Sequence, residues 1–564
     1  MTSSGQPGTI AADLLAAAAQ GGVRNLWMTT GSDLTSFQEA VAALRAAGVP
    51  TPGILTAPHE HVGLSAAIGE TMVTGGPSMT AVHADLGLLH HGGAIHNALM
   101  GQAPVLMMSG YPPVTDARRT APVYWYQQRF DQGEIVRQYV RWDYKLSTLD
   151  DAGRVAARAL QVARSAPTGP VYLAVPDEVG RAPLPAGRCP GGPAEALPPA
   201  RLGAGPEDLV SEVARRLLAA ERPLFVTERS GRDPATVAVL SRLLDRFAIG
   251  VVNGRFRVNV EDGHGSLLAA DALGTADVVV ALESPVPWIP AAGSPDPQAW
   301  VALVGSDPLN RDIPLGDFPA AALAQADPHA FLLALEEALA QACDGNDRER
   351  IDRRRRGWLA PPAEAAATPS SGALSPALVA ATLDEVMDET DLLVSEVFDT
   401  SPIRRTRPGT MFEKGASSLG WAQAAAVGAR YASGDTPTVA VTGDGSYLFG
   451  APTSALWLQE AIDTPVLTVV LNNGGYRTGT TTLRAHYPDG HAMRARDLSG
   501  GTLDAPRFDF ASQAAGSGAH GVVVESPADL VDALRRARKV VEDARVPAVV
   551  DVHLPTHRDQ LGLT

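Results

Sequence analysis

Residues 441–450 read VTGDGSYLFG, which sets Asp444 between Gly443 and Gly445 directly after an apolar, strand-like run. Gly-Asp-Gly alone is a turn sequence. Its surroundings point further. Asn472 and Asn473 follow Gly445 after 26 intervening residues, again directly behind an apolar run, PVLTVVL, and lead into Gly474, Gly475 and Tyr476. A carboxylate and an amide oxygen at two strand ends make a hard, all-oxygen donor set, which suits Mg2+ or Ca2+; Mg2+ commonly completes its shell with phosphate oxygens. Gly445 and Ser446 open the next segment, where free backbone N–H groups could cradle such phosphates.

A second concentration of chemistry lies in the first 100 residues: His59, Glu60 and His61, then His83, His90, His91 and His96. Histidine titrates near neutral pH and suits proton transfer. A metal-hydrolase cluster is the competing reading, but HEH is not the His-Glu-x-x-His pattern of a zinc helix, and the other spacings match no common ligand set. Glu60 by itself reads as an acidic residue at a helix N-terminus. His61 and His96 read as satisfied structural histidines.

Both groups need elements to hold them. Short apolar runs such as PSMTAV, APVLMMSG, RPLFVT, ADVVVAL, TPTVAV and PVLTVVL alternate with helical patterns such as PATVAVLSRLLDRFA and SALWLQEAI. Unbroken Val/Leu/Ile strands are buried on both faces, as in parallel sheets covered by helices. Two Pro/Gly/Ala- or charge-rich stretches, 183–208 and 343–376, read as linkers. The expectation is α/β throughout: three doubly wound domains with mainly parallel sheets, at 1–182, 203–342 and 375–564. In such sheets ligands bind beyond the C-terminal strand ends, which is where Asp444 and Asn473 fall.

The formal charge of −16 argues against a nucleic-acid binder, which needs clustered Lys and Arg. The one basic run, Arg353–Arg356, is flanked by acidic residues and reads as a solvated helix or linker face. Only Cys189 and Cys343 occur, so no disulfide framework or cysteine metal site is expected. No apolar run is long enough for a bilayer and the N-terminus has no basic region, so no membrane partner and a cytoplasmic location are expected.

The Gly-Asp-Gly run, its interval and the paired asparagines resemble the diphosphate-binding motif of thiamine-diphosphate enzymes. The resemblance implies that Asp444 and the Asn473 side chain ligate Mg2+, that Gly475 adds its carbonyl, and that Gly443, Gly445, Ser446 and Tyr476 line the cofactor. Enzymes of the acetolactate synthase and benzoylformate decarboxylase type also carry a strand-end glutamate that opens a small-residue helix. ILTAPHEHVGLSAAIGE is similar, with Glu60 in that place. The implied role is a relay: a carboxyl beside the pyrimidine N1′ promotes the 4′-imino tautomer, whose nitrogen takes the proton from thiazolium C2. KGASSLGWAQAAAVGA is similar to the Gly-Gly-Leu/Met-Gly run of these enzymes. That puts Leu419 under the bend of the cofactor and the Ser417 carbonyl at its 4′-amino group, with two serines where relatives have two glycines. By the same resemblance, Glu396, Thr400 and Ser401 of SEVFDTS fall near where relatives bind the diphosphate. VHADLGLLHHGGAIHNA is similar to the segment lining the benzoylformate decarboxylase site, which implies proton-handling roles for His83 and His90. Ser32, His486 and His491 fall at the rim of the same implied pocket. Runs such as RFDQGEIVRQYVRWDYKL and GPVYLAVPDEV carry the resemblance over essentially the whole chain.

The activity implied is thiamine-diphosphate-dependent decarboxylation of a 2-oxo acid. The enamine left behind is either protonated to an aldehyde or ligated to a second carbonyl acceptor, as a carboligase of the acetolactate synthase kind. The implied assembly is a homodimer or homotetramer, with each cofactor between the pyrimidine domain of one subunit and the diphosphate domain of another. FAD stays open with no sequence run to support it. The Gln-Met-Trp element of true acetolactate synthases is absent from DTSPIRRTRPGTMF. A non-catalytic binding or regulatory protein of this fold is the alternative; the intact Glu60, Asp444 and Asn473 argue against it.

Overall fold

A computed structural model describes residues 8–148, 151–192, 197–359, 373–396, 399–413, 417–504 and 506–560. The chain folds into three α/β domains, each built on one sheet whose strand pairs are all parallel. The first sheet runs in the order Gly53–Thr56, Asn25–Met28, Ser78–Val82, Val105–Tyr111, Val171–Pro176, Asp143–Lys145. The central sheet runs Ala322–Gln325, Trp300–Gly305, Val278–Leu282, Pro223–Thr227, Gly250–Asn253. The third runs Met411–Glu413, Leu392–Ser395, Thr438–Gly443, Leu467–Asn472, Ala548–His553, His520–Val524. Every residue of VLMMSGY and LTVVLN is buried, the consequence of helices covering both faces of the sheet.

Counted along the chain, the first and third sheets share one strand order: second, first, third, fourth, sixth, fifth. The two domains are topological twins. In each, the helix after the second strand, Glu60–Thr74 in one and Ala422–Ala432 in the other, faces its counterpart across the domain boundary. A side chain on Gly69 would strike the backbone of Ala425, and one on Gly428 would strike the backbone of Ala66. The two glycines therefore let the helix backbones approach reciprocally. The surrounding alanines, Ala66, Ala67, Ala424, Ala425 and Ala426, are fully buried in a core that both domains share.

The stretch 343–376, read from its composition as linker, contains the helix Gly345–Arg356. A capping box between Asp344 and Asp347 starts it. Its arginine run is not uniformly solvated either. Arg353, Arg355 and Arg356 are exposed, but Arg354 is buried and donates to the carbonyls of Leu217, Leu218, Ala220 and Phe247. These oxygens lie at or just past the ends of the helices Glu207–Ala219 and Pro234–Phe247, where carbonyls lack intrahelical partners. Composition alone could not show that one guanidinium in four closes two helices. Among the described residues, no helix is long and apolar enough to cross a membrane.

Candidate active site

In the third domain, Asp444 and Asn473 follow directly on two neighbouring parallel strands, Thr438–Gly443 and Leu467–Asn472. Asp444 is buried. Its Oδ1 accepts from the Gly445 N–H at 2.7 Å and its Oδ2 from the Gly475 N–H at 2.9 Å. Burial raises its pKa from the ordinary carboxyl value, against the backbone N–H groups of Gly445, Gly475 and Gly474. The adjacent asparagines divide their work. Asn472 donates to Asp551 and to the Phe508 carbonyl, both at 3.0 Å, and so joins strand ends. Asn473 Oδ1 is buried and accepts from nothing. A buried amide oxygen without a donor is costly, and a cation is one remedy. The Gly475 carbonyl accepts from the Arg477 N–H at 3.1 Å. Gly475 has φ +155, and a side chain there would run into Gly501 and Thr502. Ser446 is buried beside Asp444, and Gly443 ends the strand. The ring of Tyr476 covers Gly445 so closely that a side chain on Gly445 would strike it.

Leu419 is half-buried and Ser417 exposed. Of the run before them, 414–416 lie outside the described residues. The loop Ser418–Trp421 is held from two sides. Asn97 of the first domain donates to the Ser418 carbonyl at 3.0 Å and accepts from its N–H at 3.2 Å, while a ring nitrogen of His61 meets the Gly420 carbonyl at 3.0 Å. From within the third domain, Glu396 accepts from the Gly420 and Trp421 N–H groups at 3.3 and 2.9 Å and from the Thr442 hydroxyl at 2.7 Å. Glu396 is thus occupied in positioning the loop. His61, which reads from sequence as a structural histidine, does the same work.

Thr400 is turned toward the central domain. Its hydroxyl accepts from Arg255 at 3.1 Å and donates to Glu413 at 2.9 Å. Burial pushes the Glu413 carboxyl up to about 7, against the Thr400 hydrogen bond and the charges of Arg255 and Arg257. Ser401 is exposed and its N–H is taken by Asp399.

In the first domain, Glu60, Asp33 and His83 all lie beyond the C-terminal ends of adjoining strands. His83 Nδ1 is 2.5 Å from Asp33 Oδ1, and its Nε2 faces the Gln127 amide at 2.9 Å. Asp33 is buried and its Oδ2 also accepts the Ala84 N–H at 3.0 Å. The Asp33 hydrogen bond raises the His83 pKa above its ordinary value, against burial, with the charges of Asp33, Asp85 and Glu60 adding to the rise. Gly31 and Gly110 leave room for this pair, since a side chain on either would meet the His83 ring or the Asp33 carboxylate. Asp33 and Gln127 escape sequence reading; the GSD triplet around Ser32 was the only signal for Asp33. Ser32 itself is exposed.

Glu60 opens its helix with a side chain only 12% exposed, and its Oε2 is 3.3 Å from His90 Nδ1. The His59 and His90 rings stack with centroids 5.7 Å apart. His91 is fully buried, neither ring nitrogen has a partner, and burial lowers its pKa to about 3. His96 meets the edge of Tyr139. His486 and His491 are exposed.

Two twin domains, each with polar groups gathered at its strand ends, are the frame of one enzyme class. Residues 8–135 match the N-terminal TPP binding domain of thiamine pyrophosphate enzymes, and residues 397–552 match their C-terminal TPP binding domain. The chain belongs to the thiamine-diphosphate-dependent enzyme family. It is 27% identical over 526 residues to benzoylformate decarboxylase of Pseudomonas aeruginosa, covering 85% of this chain and 88% of that protein. It is 27% identical over 522 residues to a probable acetolactate synthase of Mycobacterium bovis, covering 88% and 87% respectively. Among solved structures, the thiamine diphosphate-dependent 4-hydroxybenzoylformate decarboxylase of Rhodococcus jostii superposes with a TM-score of 0.79 at 21% identity, over 97% of this chain and 99% of that one.

Proposed function

We propose that this protein is a Mg2+-dependent, thiamine-diphosphate-dependent decarboxylase of a 2-oxo acid that releases an aldehyde. The observation that carries the reading is the buried, unpartnered Oδ1 of Asn473 beside Asp444, an oxygen donor set that fits a phosphate-bound Mg2+. Asp444, Asn473 and the Gly475 carbonyl would hold the ion; Gly443, Gly445, Ser446 and Tyr476 would surround the diphosphate. Leu419, on a loop clamped by Asn97, His61 and Glu396, would support the bend of the cofactor, with the Ser417 carbonyl beside it. When bound, the cofactor supplies the nucleophilic carbon and the electron sink for losing carbon dioxide.

The chain's own residues manage protons. Glu60 would hold one at the pyrimidine ring. Asp33 fixes Nδ1 of His83, so proton traffic would run through Nε2, which the Gln127 amide meets at 2.9 Å and would release to substrate, and the raised pKa keeps a proton available near neutral pH. A proton donor at the reacting carbon favours an aldehyde over ligation to a second carbonyl; we therefore place carboligation second. His90 would act on Glu60 rather than on substrate, since its Nδ1 faces that carboxylate. Thr400 and Ser401, proposed from sequence at the diphosphate, have less support: one is engaged by Arg255 and Glu413, the other is exposed. Nothing in the site calls for FAD. The relatives' names direct the substrate panel toward benzoylformate and 4-hydroxybenzoylformate, and pyruvate is added as a simple 2-oxo acid. We propose a homodimer or homotetramer acting in the cytoplasm.

The test is carbon dioxide release and product identity across that panel with Mg2+ and thiamine diphosphate. Aldehyde formation that falls at least a hundredfold in Glu60→Gln supports the reading. Cofactor binding with no 2-oxo acid consumed would sink it.

A further inference from the structure

One cluster in the first domain joins Glu60 and His90 to a residue this assignment leaves out: His59, Glu60 and His90 each offer a ligand atom, and these atoms all lie within 4.8 Å of one another. We propose that these three residues form a binding site for a borderline divalent cation of the zinc class, and that this ion competes with thiamine diphosphate for Glu60.

The donor sets of the two sites differ in kind. Asp444 and Asn473 present only oxygen, the choice of Mg2+. His59, Glu60 and His90 present two imidazoles and one carboxylate, a set that zinc and its neighbours bind well and Mg2+ poorly. Three protein ligands leave a position open for water, as in zinc sites with two histidines and a glutamate. The geometry is close to assembled. The His59 and His90 rings stack, Glu60 Oε2 is already 3.3 Å from His90 Nδ1, and His59 Nδ1 accepts the His61 N–H at 3.1 Å, which leaves Nε2 of His59 for the ion. His59 and Glu60 adjoin at a helix start and His90 lies in the last turn of the neighbouring helix Ala84–His91, so all three side chains are carried on regular elements. His90 is largely exposed, so an ion can reach the site from solvent. The competition rests on the proposed role of Glu60 at the cofactor: a carboxylate bound to a dication cannot also hold a proton for the pyrimidine ring.

The experiment uses the full-length protein stripped of metals and cofactor, in excess Mg2+, titrated with Co2+. Visible ligand-field absorption saturating at one Co2+ per chain, reversed by Zn2+, is the expected result. Calorimetry with Zn2+ should show affinity at least tenfold weaker in both His59→Ala and His90→Ala. His90→Ala is the safer variant for folding, because the side chain is exposed; circular dichroism checks both. Thiamine diphosphate should expel the Co2+, and added Zn2+ should raise the apparent KM for thiamine diphosphate without lowering kcat at saturation. No saturable Co2+ binding, or binding unchanged in both variants, overturns the site. Co2+ and thiamine diphosphate bound together overturns the competition. A failure of the functional reading is distinct: the protein then takes up no thiamine diphosphate at all while still binding Co2+, which removes the competition and leaves the metal site.

Discussion

His83 Nδ1 and Asp33 Oδ1 stand 2.5 Å apart although 50 residues separate them, because the strands that carry them, Ser78–Val82 and Asn25–Met28, are neighbours in the first sheet. The carboxylate is buried and also holds the Ala84 N–H, so it has no freedom to leave the imidazole.

Asp33→Asn should therefore lower kcat by roughly a hundredfold, at the lower end of what a positioned proton donor contributes, with little change in KM. The pH profile is the discriminating readout. Asp33 raises the His83 pKa, so the protonated fraction extends above pH ~6.5 in the native protein. Asn at position 33 should pull the alkaline limb downward. The same pair makes stability pH-dependent: its contribution is complete below the unfolded pKa and lost as pH rises through the raised native one.

The two neighbouring asparagines should separate cleanly. Asn473→Ala removes an oxygen that nothing donates to, so the thermal midpoint of the cofactor-free protein should move little. Its Mg2+-dependent binding of thiamine diphosphate should weaken at least tenfold by calorimetry. Asn472→Ala strips a partner from buried Asp551, and should cost about 1–3 kcal/mol without any cofactor present. If both variants behave alike, the division of labour is wrong.

Chelation should reproduce the first effect. With EDTA, bound thiamine diphosphate should be released and recovered in a filtrate, and Mg2+ should restore binding, since Asp444 and Asn473 alone offer the diphosphate no positive charge.

Glu413 gives a second stability prediction in the same pH direction as His83. Its native pKa is about 7, against an ordinary 4.5, so between those values the unfolded chain binds fewer protons and stability falls as pH rises. Glu413→Gln should flatten that part of the thermal-midpoint profile. A profile unchanged between pH 5 and 7 would show that the carboxyl is not desolvated as placed.

How much of this was legible beforehand follows from which interactions are local. The strand ends bearing Asp444 and Asn473 could be read because unbroken runs such as TVAV and LTVVL identify strands, and the residue after a strand is necessarily at its end. Glu60 at a helix start was legible for the same reason. The partners of His83 were not. Asp33 and Gln127 reach it only through the order of strands and a loop 44 residues away, and one sequence contains no signal for that order. Glu396 was visible as a strand-end acid, but its actual partners, the Gly420 and Trp421 N–H groups, depend on how the loop returns. Arg354 was hidden by its three exposed neighbours in a charged run.

The reciprocal glycines make a final test. Gly69→Val or Gly428→Val puts a branched side chain where a backbone already lies, and each should cost at least the 1–3 kcal/mol typical of overpacking. The loss should be read as a lower thermal midpoint and a weakened cofactor site, because the Ser418–Trp421 loop depends on Asn97 and His61 across the same boundary.

That boundary joins two versions of one topology within a single polypeptide. The chain is in effect a tethered pair, and the encounter of its halves is unimolecular. Joined through the central domain, each half meets the other by an intramolecular step whose strength does not depend on protein concentration. The clamp on the Leu419 loop should accordingly persist at dilutions that would dissolve a complex of separate chains, leaving only the contribution of a second subunit sensitive to how much protein is present.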